Sequence, residues 1–243
     1  MRRMAFSVRT MKEILRDPLN ILFGLGFPVI LILLLSAIQA NIPVSLFKIE
    51  SLTPGISVFG LSFMTLFSAT LIAKDRESAL LQRLYTTPMT ATDFILGYVL
   101  PVLPIAVLQS VVCYTVAIPL GLPVTAIIIY AVIFMIPAAL FFIVLGLACG
   151  SMFSVKQVGG ICGALLTNLT AWLSGVWFDL NLVGGVFERI AGLLPFVHAV
   201  EMERAVLDGN YEDIFPHVWW VIAYATTAAI FAVRLFLRQM KRQ

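Results

Sequence analysis

Charge is what this chain has least of. Only 12% of its 243 residues are Asp, Glu, Lys or Arg, against 60% apolar residues and a mean hydropathy of +1.00. Soluble domains carry about 25% charged residues, so a water-soluble globular domain is excluded. Cysteine is scarce too. Cys113, Cys149 and Cys162 all fall inside apolar runs. They read as small apolar filler and give neither a metal cluster nor a disulfide framework. Histidine is limited to His198 and His217. His198, Glu201 and Glu203 lack the HExxH spacing of a zinc protease. Asp208, Asn210, Glu212 and Asp213 lack the pattern of a calcium-binding loop. Ser174-Gly175 is preceded by Trp172 where an intramembrane serine-protease elbow needs glycine. No cleavable secretory signal is read, because the first 18 residues are charged and the apolar run after them is long enough to span.

What is present is apolar length. Runs of about 20 residues cross about 30 Å of hydrocarbon as helices. Six occur, at 19–40, 52–73, 94–120, 124–150, 158–178 and 217–237. Backbone polar groups cannot stay bare in lipid, so helices are required. The short alternating segments of a membrane barrel are absent. The expectation is an all-α integral membrane protein with six transmembrane helices, a single transmembrane domain over residues 1–243. Lysine and arginine placement sets the orientation. With the N-terminus inside, 13 of the 16 lie on the inner side and only Lys48, Arg189 and Arg204 on the outer. Both termini are therefore expected in the cytoplasm. Pro28, Pro101, Pro104 and Pro137 lie inside spans, where proline kinks a helix. Pro101 and Pro104 fit either a hinge or a fixed structural kink. No span carries a charge at mid-depth. Such a charge costs about 2.5–3.5 kcal/mol on insertion and marks ion routes, so an ion-coupled carrier is disfavoured.

Two segments flank or interrupt the spans. In residues 1–18, Met4, Val8, Met11 and Leu15 share one helix face, and Arg2, Arg9, Lys12 and Arg16 cover the other. This predicts an amphipathic helix in the headgroup plane, ended by Asp17-Pro18. In residues 179–216, Val186, Phe187, Ile190, Leu193 and Leu194 are helically spaced, and Phe196, Ala199, Val200, Val206 and Leu207 continue the pattern after Pro195. Two short re-entrant or interfacial helices fit, with their acids and histidines as solvated or interfacial charge. A last span and a basic tail occupy 217–243.

The most polar internal run is KDRESALLQRLYTTPMTATDF, residues 74–93, between spans 19–73 and 94–178. Leu80, Leu81, Leu84 and Tyr85 form one helix face, with Arg76, Ser78, Gln82 and Arg83 opposite. Glu77 shares the face of Leu81 and Leu84 and needs a partner there. Arg9, Lys12 and Arg16 are the expected partners on the same membrane side. Thr87-Pro88 ends the helix, and Thr90 with Asp93 predicts a capping box for the next one.

Glu77, residues 80–84 and Thr87-Pro88-Met89 resemble the first cytoplasmic loop of permease subunits of ATP-binding cassette exporters, the type-2 ABC permease family. LSGVWFDL at 173–180 and LLPFVHAVEMERAVLDG at 193–209 are similar to that family's fifth-span exit and outer segment. The likeness covers nearly the whole chain in order. Ser78-Ala79 departs from the Gly-Thr of many members. The resemblance implies a coupling helix with Arg76, Glu77, Gln82, Arg83, Thr87, Pro88 and Met89 as ATPase-coupling residues. It implies two copies of a separate ATPase subunit that bind ATP and Mg. It also implies a second permease subunit, as a homodimer or related heterodimer, in a prokaryotic inner membrane. This chain lacks the G-x-x-x-x-G-K-[ST] phosphate loop, so it is expected to be a transporter subunit, not an enzyme, with no cofactor of its own. An amphipathic drug or antibiotic is the expected cargo, and lipid or polysaccharide the alternative. The second and fifth spans would line the path, with Phe59, Phe63, Phe67, Thr167, Asn168 and Trp172 as candidates. The phenylalanine stripe also fits packing, and Asn168 also fits an interhelical hydrogen bond.

Overall fold

The computed structural model describes residues 2–78, 80 and 90–240. Every regular element among the described residues is helical. The first is α1, Arg2–Leu15. It docks on α5, Ala91–Ala117, through Phe6, Thr10 and Ile14, which recur every four residues and are buried. Phe6 lies edge-on to Tyr98 at 5.0 Å and directly over Gly97, where any Cβ would collide with its ring. Met4, Val8 and Leu15, expected as the working apolar face, are 75%, 53% and 57% exposed. They are the face left for lipid, and α1 therefore has two apolar sides.

Pro18 opens α2, Pro18–Ile21, at a position where its missing N–H costs nothing. The helix widens into a π turn over Leu22–Gly26 and continues as α3, Phe27–Asn41. Pro28 explains the widening. Its ring clashes with the carbonyl four residues back in an α-helix, and a wider turn relieves that clash. Next comes α4, Ile49–Glu77, the centre of the molecule. Its most apolar window is 89% buried, against 22–44% for the first, third and fourth candidate spans and 17% for the last. The third candidate span is α5, continuing into a 3-10 turn at Ile118–Leu120. Thr90 and Asp93 form the expected capping box at its start.

The close neighbour of α4 is α6, Ile127–Met152. Lipid supplies no hydrophobic drive between helices, so they associate through tight packing and hydrogen bonds. Gly146 and Gly150 meet the α4 backbone directly, at the carbonyls of Thr65 and Ala69. The Thr65 hydroxyl donates to the Phe142 carbonyl at 2.8 Å, and Ser68 Oγ reaches the Ile143 carbonyl at 2.9 Å.

Among the described residues, five helices are long and apolar enough to cross a membrane: Leu22–Asn41, Ile49–Glu77, Thr92–Leu120, Ile127–Met152 and Tyr211–Arg238. The expected span at 158–178 is not among them. It is a composite of α7, Val155–Val158, a π segment, Gly159–Leu166, and α8, Thr167–Leu173. Gly159, Gly160 and Gly163 lie in the widened part, and glycine weakens an α-helix. The outer segment contains α9, Leu180–Val183, α10, Gly185–Leu193, and α11, Pro195–Leu207. The last helix is α12, Tyr211–Met240, which begins ahead of the expected 217 because Pro216 is held in its second turn.

A Cβ branch at Gly150 has only backbone to push against. Gly150→Val is expected to cost about 1–3 kcal/mol and to lower the melting temperature of the purified protein. Gly159→Val is the matched control, because nothing lies within 4 Å of a Cβ there.

Candidate functional site

The C-terminal end of α4 carries four polar residues in a row, and each takes a different partner. Lys74 lies 3.7 Å from Asp17. Asp75 is buried and receives Arg9 through two bonds, Nη1 to Oδ2 at 2.9 Å and Nη2 to Oδ1 at 2.7 Å. The Tyr98 hydroxyl donates to the same carboxylate at 2.7 Å. Arg76 donates to the carbonyls of Ser151 and of Phe153, the latter at 2.6 Å. Those carbonyls close the C-terminus of α6, where a cation is favoured. Glu77 Oε1 accepts the Val155 backbone N–H at 2.9 Å. Val155 begins α7, where an anion is favoured. Successive residues of a helix point about 100° apart, so one turn of α4 holds α1, α5, α6 and α7 together.

This corrects the expected partner of Glu77. Arg9 pairs with Asp75 and with Glu13 at 3.0 Å, not with Glu77. Lys12 and Arg16 lie along the groove between α1 and α4 instead. The charge that needed a partner is Asp75, which is 2% exposed. Arg76 turns inward to its own chain rather than outward. Gln82, Arg83, Thr87, Pro88 and Met89 lie outside the described residues. The hydrogen bonds from Arg9 to Asp75 push the Arg9 guanidinium above its usual range.

The path candidates separate into two groups. Phe59, Phe63 and Phe67 are buried. Phe63 packs against Phe23 and Phe27 of the first span, Phe59 against Trp177, and Phe67 under Gly24. They form an internal wall within the chain, as the packing alternative has it. Thr167 is also buried, its hydroxyl donating to the Cys162 carbonyl at 3.0 Å. Asn168 and Trp172 are exposed. The Asn168 amide donates to Ala164 of its own helix at 2.8 Å, and Trp172 leans on Phe178 with centroids 6.0 Å apart.

The opposite end of the bundle has a second set of polar groups. Arg204 donates to Glu201 at 2.7 Å and to the Gly175 carbonyl at 3.0 Å, tying α11 to the turn after α8. Glu203 is not solvated as expected: it is fully buried and accepts the Tyr114 hydroxyl at 2.9 Å. Burial pushes its carboxyl well above the usual range, opposed by the Tyr114 hydrogen bond. Beside these groups lies a cavity of about 520 Å³, lined by Trp177, Phe178, Asp179, His198, Glu201 and Arg204 among others. His198 and His217 meet Nδ1 to Nδ1 at 2.9 Å, and His198 Nε2 lies 2.9 Å from the Gly192 carbonyl. A carbonyl only accepts, so His198 carries its proton on Nε2, and His217 must donate to its bare Nδ1. A proton on both Nδ1 atoms would break the contact.

The sequence of the chain matches the model of the ABC-2 type transporter family over residues 3–207. The chain belongs to the ABC-2 type transporter family, as the membrane-spanning permease subunit of an ATP-binding cassette exporter. It is the membrane component rather than the catalytic ATPase, and the family implies an ATPase partner. Nodulation protein J of Bradyrhizobium diazoefficiens is 24% identical over 229 residues, covering 94% of this chain and 86% of that protein.

Two expectations follow from this geometry. Asp75→Asn keeps an acceptor for Tyr98 and removes the charge held by Arg9. Arg9 is 41% exposed, so the loss should fall below that of a fully buried pair, at about 1–3 kcal/mol. A thermal-melt cycle with Arg9→Gln should give a double variant no worse than the worse single. Burial lowers the His198 pKa from an ordinary value of about 6.5. A pKa lowered by folding stabilises fully above the unfolded value, and that stability is lost as pH falls through the folded value. Melting temperature should therefore drop as pH is lowered below about 6.5, and His198→Gln should flatten that drop.

Proposed function

We propose that this permease is one half of a dimer, with itself or a related subunit, in the inner membrane of a prokaryotic cell. Two copies of a separate ATPase subunit, holding ATP and Mg, dock under residues 74–93 and drive it. Both termini are cytoplasmic, and the composite helix over 155–173 makes the sixth crossing. The cargo is an amphipathic compound such as a drug or antibiotic, moved outward along the interface between permeases. Asn168 and Trp172, on the exposed face of the composite helix, line that route.

One observation carries this reading. The root of the loop at 74–77 is bonded at once to α1, α5, α6 and α7. A force on the chain just beyond Glu77 is thus delivered to both sides of the turn between α6 and α7. A loop with no mechanical task has no use for such anchoring. A second reading is export of a lipid or polysaccharide by the same machinery.

The test is co-expression with candidate ATP-binding cassette ATPase subunits, followed by reconstitution in vesicles. The ATPase should co-purify. Arg76→Ala and Glu77→Ala should leave the complex assembled and lower ATP-driven transport roughly tenfold, about 1.4 kcal/mol of coupling. Absence of a co-purifying ATPase, or variants that transport like the parent protein, would refute the reading. Labelled amphipathic drugs, lipids and oligosaccharides offered to the same vesicles decide the cargo.

A further inference from the structure

A groove of about 790 Å³ runs between α1 and the inner end of α4. Its walls carry Arg9, Lys12, Arg16 and Lys74 against two carboxylates, Glu13 and Asp17. Arg9 is occupied by Asp75 and Glu13, and Lys74 faces Asp17. The Lys12 and Arg16 side chains are exposed, one helical turn apart, and make no hydrogen bond or ion pair among the described residues. The groove therefore holds a surplus of positive charge that the protein itself does not neutralise. Thr70 adds a hydroxyl, and Val8 and Leu71 add apolar wall.

We propose that this groove seats the phosphate headgroup of an anionic lipid from the adjoining leaflet. Depth decides for a lipid over a dissolved anion. The exposed Met4, Val8 and Leu15 need hydrocarbon beside them, and an amphipathic helix meets that need by lying at the headgroup boundary. The groove runs along that same helix and is lined by both cations and apolar residues. A phosphodiester matches this arrangement. One oxygen pair fits the guanidinium fork of Arg16, Lys12 supplies a point charge, and the glycerol with its first methylenes runs along Val8 and Leu71. Cytoplasmic leaflets supply anionic lipids that attract such basic segments. A lipid seated there packs α1 against α4 and keeps Arg9 on Asp75. The inference rests on the membrane placement of α1 and not on the transport reading, so its failure leaves the ATPase coupling test untouched.

Native mass spectrometry of the full chain tests it, titrating phosphatidylglycerol or phosphatidylcholine into the detergent-purified protein. Phosphatidylglycerol should bind more tightly than phosphatidylcholine by at least about tenfold. The double variant Lys12→Gln with Arg16→Gln should lose that preference and leave phosphatidylcholine binding unchanged. Lys12→Arg should retain the preference, and Arg234→Gln, at the inner end of α12, should have no effect. The altered residues are exposed and unpaired, and a melting curve matching the parent protein verifies the fold. Equal binding of the two lipids, or full phosphatidylglycerol binding by the double variant, overturns the proposal. Displacement of the lipid by excess inorganic phosphate alone also overturns it, as the mark of a free-phosphate site.

Discussion

The grip at the inner end of the second span is the constraint from which the rest of the bundle follows. A helix turns about 100° per residue. Only consecutive polar side chains can therefore reach every neighbour of a central helix at one level. Lys74, Asp75, Arg76 and Glu77 do this in one turn. They can be charged because the level lies where hydrocarbon ends, and charge is costly at greater depth. The signs follow the backbone they meet. Arg76 closes a helix C-terminus and Glu77 opens a helix N-terminus.

Deeper in the bundle the means of attachment change. Between α4 and α6, glycine meets backbone and hydroxyl meets carbonyl. Such contacts need close approach, and close approach needs a central helix walled in by its neighbours. That is why α4 is buried along its length while the other candidate spans leave broad faces to lipid. On the outer side Arg204 repeats the inner logic. It reaches the Gly175 carbonyl from α11 as Arg76 reaches the Phe153 carbonyl from α4.

Residue pattern alone carried the helical class, the first four apolar segments, the break at Asp17-Pro18 and the capping box at Thr90, because these depend on local chemistry. It placed the odd charge at Glu77 because Leu81 and Leu84 follow it by four and seven residues, the spacing of one helix face. Asp75 escaped notice because its partners, Arg9 and Tyr98, are distant in sequence and lie on helices whose docking no local pattern specifies. The hint available was Asp75 standing one turn after Leu71 and Ile72. Glu203 was missed for the same reason: its burial depends on Tyr114, 89 positions away. The phenylalanine stripe of α4 was legible as a stripe, but not which neighbour it faced. Phe23 and Phe27 decide that, and they approach through a π turn that α periodicity does not anticipate.

The π segment of the composite helix has a geometric consequence. A wider turn advances fewer degrees per residue than an α turn. Over Gly159–Leu166 the helix falls progressively out of phase with a regular α-helix. Everything after it is rotated as a block, and side chains that a helical wheel begun at Val158 would assign to one face are shared out between two. Thr167 and Thr170 turn into the protein while Asn168 and Trp172 turn out of it. The surface this helix offers at its outer end is thus set by the glycines at its inner end, through accumulated angle alone.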